Sequence, residues 1–94
     1  MTTMTRILFD GRVAEKLGPE TRLELPAEGL PVREIRRLLA ERDEATADAL
    51  LSPDVCASVN LIVVGEEAWA RPKQEIAFFA LRPAPMSVAA APAP

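Results

Sequence analysis

Pro31-Val32-Arg33-Glu34-Ile35-Arg36-Arg37-Leu38-Leu39 is the stretch that decides how this chain folds. Val32, Ile35, Leu38 and Leu39 recur at i, i+3, i+6 and i+7, which is one apolar stripe of a helix. Arg33, Glu34, Arg36, Arg37 and Glu41 fill the other side and read as a solvated face. Arg37 and Glu41 stand at i, i+4 and support the helix locally. Pro31 fits its first turn, where a missing N–H leaves no intrahelical bond unmade. This is the main helix, and the segments outward from it in both directions alternate like strands.

On the N-terminal side, Thr21-Arg22-Leu23-Glu24-Leu25 alternates cleanly, with Leu23 and Leu25 inward, and Pro26 to Gly29 is a loop. Before it, Arg6-Ile7-Leu8-Phe9 is a strand with Ile7 and Phe9 on one face and Leu8 and Asp10 on the other. Gly11 ends that strand. Val13, Ala14 and Leu17 mark a helical turn or so, stopped by Gly18-Pro19. On the C-terminal side, Asp43 caps a short helix through Ala45, Ala49, Leu50 and Leu51, ended by Ser52-Pro53. Cys56 to Val64 is rich in β-branched residues and long enough for one bent strand or two short ones. Gly65 breaks it, Glu66 to Gln74 is a polar loop, and Glu75-Ile76-Ala77-Phe78-Phe79 is the closing strand. The order β-β-α-β-β around one main helix predicts an α+β chain of the β-grasp, ubiquitin-like arrangement, a mixed sheet wrapped on that helix. The expected core is Ile7, Phe9, Leu23, Leu25, Ile35, Leu38, Leu39, Val59, Ile76 and Phe78.

Ninety-four residues, 49% apolar and 27% charged, make one domain with a modest core. Its expected span is 1–82. Residues 83–94 are Pro- and Ala-rich, with four prolines and no charge, and are expected to form a disordered tail outside the core. A net charge of −3 gives no basic footprint for nucleic acid. The start carries no apolar leader core and no run approaches the ~18 apolar residues of a membrane span, so no membrane partner and a cytoplasmic location are expected. Histidine is absent and Cys56 is the single cysteine, which excludes an internal disulfide, a Cys/His metal cluster and His-based acid/base chemistry. No cofactor is expected, and the chain does not read as a self-contained enzyme.

Three segments carry a resemblance: Arg6-Ile7-Leu8-Phe9-Asp10-Gly11-Arg12-Val13-Ala14-Glu15-Lys16-Leu17-Gly18, Ala57-Ser58-Val59-Asn60 and Arg71-Pro72-Lys73-Gln74-Glu75-Ile76-Ala77-Phe78-Phe79. Together they resemble the small subunit of molybdopterin synthase, a MoaD/ThiS-like sulfur carrier. The likeness covers nearly all of residues 5 to 79. It implies a role in molybdenum cofactor biosynthesis, with two partners: the large subunit of molybdopterin synthase and an E1-like activating enzyme. In such carriers a C-terminal Gly-Gly is adenylated and converted to a thiocarboxylate, whose sulfur passes to a pterin precursor. The four glycines here are Gly11, Gly18, Gly29 and Gly65, so the sequence holds no such pair. Asp10 stands where the family usually has a second outward phenylalanine, and Lys73 stands at a turn glycine where φ > 0 is needed.

The candidate partner-binding residues are Phe79, Val63, Asp10 and Arg12. Alternation with Ile76 and Phe78 turns Phe79 outward, and the resemblance places Val63 on the same face. Arg12 lies near the root of the tail, and its default reading is a solvated arginine. Cys56 reads as a small hydrophobe in or near the core. Trp69 reads as a cover for the core edge, with partner anchoring as the other reading. Two functions remain open: a carrier subunit inactive in this form, or a non-carrier β-grasp module that binds a protein through the same face.

Overall fold

The computed structural model describes residues 2–80. The expected tail, 83–94, and the last two residues of the expected domain lie outside them. The elements are β1 (Thr2–Asp10), α1 (Gly11–Leu17), β2 (Glu20–Pro26), β3 (Leu30–Pro31), α2 (Val32–Ala40), α3 (Glu44–Leu50), β4 (Val55–Val59), β5 (Ile62–Val64), β6 (Trp69–Ala70) and β7 (Ile76–Ala80). Five strands form one sheet in the order β2-β1-β7-β4-β5, and β3 pairs with β6 in a two-stranded ribbon. All contacts in the large sheet are antiparallel except β1 with β7, which run parallel with Ile7 opposite Ile76 and Phe9 opposite Phe78. This mixed sheet carrying α2 is the β-grasp expected from the sequence.

The strand phases come out as alternation dictates. Ile7, Phe9, Leu25, Ile76 and Phe78 are buried on the helix side, with Val32, Ile35 and Leu39 of α2 against them. Leu23, Leu38 and Val59, expected in the core, are only half-buried. The buried stripe of α2 is Val32, Ile35, Arg36 and Leu39, the i, i+3, i+4, i+7 pattern, so the helix is rotated away from Leu38 and toward Arg36.

Arg36 therefore corrects the reading of a wholly solvated charged face. Its Nε donates to Glu66 Oε1 at 3.0 Å and its Nη2 to Glu66 Oε2 at 2.6 Å. Nη1 reaches the Leu50 carbonyl at 2.5 Å, and Nη2 also reaches the Val55 carbonyl at 3.1 Å. The guanidinium lies 5.2 Å from the centre of the Phe78 ring. One side chain thus ties α2 to the end of α3, the start of β4 and the loop after β5, with its charge paired and its donors used.

Two of the three helices are capped at their N-termini by a neighbouring aspartate. Asp10 caps α1 by accepting from Gly11 N at 2.8 Å, and Asp43 caps α3 by accepting from Thr46 N at 2.8 Å. The N-terminus of α2 has no side-chain cap. Carbonyls of the loop at Ala68 and Glu66 accept from Val32 N and Arg33 N instead, at 2.8 and 3.0 Å. That is why the expected polar loop 66–74 holds the two-residue strand β6, drawn against β3 over the start of α2. Gly29 makes the approach possible: its φ is 86°, and a Cβ there would stand 2.3 Å from the Ala70 carbonyl oxygen.

Candidate functional site

Among the described residues, no helix or second sheet covers the face of the sheet opposite α2. Period-two alternation puts Leu8 and Asp10 of β1, Ala77 and Phe79 of β7, Cys56 and Ser58 of β4 and Val63 of β5 on it, and the register fixes their neighbours. Asp10 is opposite Phe79, Leu8 opposite Ala77, Cys56 opposite Phe79, and Val63 opposite Ser58. A shallow open groove of about 460 Å³ runs across these strands, its floor made by Leu8, Ser58, Ala77 and Phe79 and one wall by Leu61 and Val63.

The structure brings three of the four candidate residues together. Phe79, Val63 and Asp10 line this one groove, with Phe79 half-buried and Val63 63% exposed. Arg12 does not join them. It sits on α1, ion-paired with Asp54, beside a separate small hollow with Lys16, Asp48 and Ala80, the last described residue of β7. The Ser52 hydroxyl donates to Asp54 and, with Arg12 alongside, holds that carboxyl below the usual aspartate range.

Asp10 is exposed, and its carboxylate already has a task as the cap of α1. The capping role was not among the expectations for Asp10, although an Asp directly before a helical turn is a cap signal. Cys56 is a free, half-buried thiol on the open face beside Phe79, not a core residue. Trp69, read as a cover for the core edge, is 58% exposed on β6. A two-residue strand at the rim of the fold has no layer above it to take an indole.

The rim of the groove holds strained backbone. Asn60 and Leu61 connect β4 to β5 as a two-residue turn, and both have positive φ, 52° and 69°. Hairpin turns of this hand favour Asn and Gly; leucine is costly there. Leu61 is nevertheless present and 79% exposed. Lys73, in the turn before β7, has φ of 72°, as expected for a position where glycine is usual. Leu61 was not singled out from the sequence; the signal was a large apolar residue after Asn60 at the point where two short strands meet.

Among the described residues there is no group of three or more His, Cys, Asp or Glu side chains able to hold a metal ion. The groove offers apolar surface and two carboxylates, those of Asp10 and Glu75, which suits docking of a protein surface. No helix among the described residues is long and apolar enough to cross a membrane.

No family model and no curated protein matches this chain. Solved structures do. SAMP1 from Haloferax volcanii, the small archaeal modifier protein 1, superposes with a TM-score of 0.67 at 15% identity, over 86% of this chain and 98% of that one. A Pyrococcus furiosus protein assigned to molybdopterin converting factor, subunit 1, gives a TM-score of 0.65 at 22% identity, over 83% and 97%. The Haloferax volcanii HVO 2177 protein gives 0.67 at 16%, over 94% and 88%. The fold class is therefore the ubiquitin-like β-grasp, shared over nearly the whole of these small proteins.

Proposed function

We propose that this chain is a cytoplasmic ubiquitin-fold subunit of the molybdopterin synthase small-subunit type. Its open sheet face docks on a large subunit and on an E1-like activating enzyme. Without a Gly-Gly pair, this form does not carry sulfur. The observation that carries the reading is the groove in which Phe79, Val63, Leu61 and Leu8 converge, alongside the strand whose continuation would be the carrier tail. The likeness in fold to a converting-factor subunit and to a small modifier protein supports it.

The reading divides into two testable parts. Titration calorimetry of a molybdopterin synthase large subunit against the chain should give binding that weakens at least tenfold in Phe79→Ala. No binding at all would defeat the docking claim. Incubation with an activating enzyme, ATP and a sulfur donor should leave the chain unmodified, whereas replacement of residues 80–94 by a tail ending in Gly-Gly should yield a thiocarboxylate visible by mass spectrometry. A thiocarboxylate on the unaltered chain would defeat the non-carrier claim.

A second reading is favoured by Asp10, an exposed carboxylate in the groove wall. A partner that buries it must supply a cation or a donor. In this reading the chain is a non-carrier β-grasp module whose partner carries a basic residue at that point. Binding restored to a large subunit by Asp10→Phe would favour the loss of an ancestral interface over this module.

A further inference from the structure

Leu61, Ile62 and Val63 are 79, 67 and 63% exposed. Successive strand residues point to opposite faces, so exposure of Ile62 and Val63 together means that the described residues cover neither face of the sheet at β5. The hairpin register shows what else is left open. Val59 is opposite Ile62 across the two-residue turn, and Ser58 is opposite Val63. In such a hairpin the closing pair exchanges both backbone bonds and the next pair none. Val63 therefore aims its N–H and C=O away from β4, out of the sheet edge.

The opposite edge of the same sheet is protected. β2 alternates Glu20, Arg22 and Glu24 on its outward face and ends at Pro26, the pattern of charge and proline that blocks edge pairing. The hairpin has nothing of the kind, for no charged residue occurs from Val55 to Gly65. The carboxylates that follow β5 are neutralised toward α2, Glu66 by Arg36 and Glu67 by Arg33.

We propose that β5 pairs antiparallel with β5 of a second copy of this chain, on a twofold axis at Val63, joining the two sheets edge to edge. The occupant follows from self-complementarity: the net charge of −3 opposes contact between copies, and the uncharged edge of β5 is where two copies meet without adding like charges to the interface itself. With Val63 on the axis, the two outward N–H and C=O groups satisfy each other, and Ile62 meets Val64 of the partner. The contact is isologous and closed, so it stops at two copies. An edge of three residues makes it a weak association, with a dissociation constant on the order of 0.1–1 mM.

The proposal uses the backbone edge at Val63, whereas docking uses its side chain in the groove, so the two can fail separately. Sedimentation equilibrium of the full chain from about 0.02 to 1 mM should show a weight-average mass rising above 10.2 kDa with concentration. Hydrogen exchange at the Val63 amide should slow several-fold over the same range. Ile62→Lys, at an exposed site off the groove, should hold the mass at the monomer value with an unchanged circular dichroism spectrum. Phe79→Ala should leave self-association intact. A constant monomer mass at 1 mM overturns the proposal, as does association that survives Ile62→Lys. Protection of Val63 that appears only on adding an extended apolar peptide would assign the edge to a strand from another protein and overturn it equally.

Discussion

On the helix side of the sheet, Ile7, Ile76 and Phe78 have no exposed surface, and no buried side-chain polar atom among the described residues lacks a partner. On the other side, Leu8 and Ala77 are half-buried, Val63 faces water, and the turns at the rim hold Leu61 and Lys73 in left-handed backbone. The closed face is where apolar burial and satisfied hydrogen bonds accumulate stability. The open face retains features that folding alone does not reward, namely exposed aliphatic surface and backbone strain of about 1 kcal/mol per site. Such features persist where a partner later covers them.

The largest test of this contrast is Arg36→Ala. Losing it deprives Glu66 and the Leu50 and Val55 carbonyls of their donors, and urea denaturation should show a loss of about 3 kcal/mol. Phe79→Ala on the open face should cost about 1 kcal/mol or less while weakening docking at least tenfold. Equal costs for the two would erase the distinction between the faces. Next in size, Asp43→Ala removes the cap of α3 in the closed layer and should cost about 1 kcal/mol.

Leu61→Gly runs the other way. It relieves a positive φ and should raise stability by about 0.5 kcal/mol, net of glycine's greater freedom in the unfolded chain, while weakening docking because it removes a groove wall. A variant that is both less stable and fully competent to bind would sever the link between strain and function.

The smallest effect is in acid. Thr46 N–H holds Asp43, the Arg37 guanidinium holds Glu34, and the Ser52 hydroxyl holds Asp54 below their ordinary ranges. Each folded-state pKa lies below its unfolded value, so the stability from these groups is present above about pH 4–5 and is lost as pH falls through the lowered values. Asp43 is exposed and Glu34 and Asp54 are only half-buried, so solvent screens all three and the summed loss should be small. All also lie on α2, on α3 or in the loop before β4, so the helical signals should weaken before those of β1 and β7 in a pH titration followed by NMR.

Much of this was legible in residue order. Period-two alternation was enough to turn Ile76 and Phe78 inward and Phe79 outward, because each strand is half-buried and a one-residue error would reverse every side chain. Val63 came onto the same face through family resemblance, and the register accounts for it by its pairing with Ser58. The role of Arg36 was not legible. A charge on an amphipathic helix reads as solvated, and the groups that retain it, Leu50 O, Val55 O and Glu66, lie 14 to 30 residues away. β3 and β6 escaped because two residues are too few to show a period. Arg12, expected near the tail's root, shares a hollow with Ala80, and α1 turns it away from the groove toward Asp54.

The parallel pairing of β1 with β7 sets a timetable for making this protein. Ile7 waits for Ile76, and at ribosomal rates the intervening chain takes roughly 4–14 s to appear. β1 and β2 are complete and able to pair first, with the inner edge of β1 unpaired, and β4 and β5 are made later as a second separate piece. Only the last strand, sliding between them, turns two aggregation-prone ribbons into one sheet. A nascent chain arrested before residue 76 is thus not a smaller version of the domain but two halves without their middle, dependent on whatever shields them until the final strand is made.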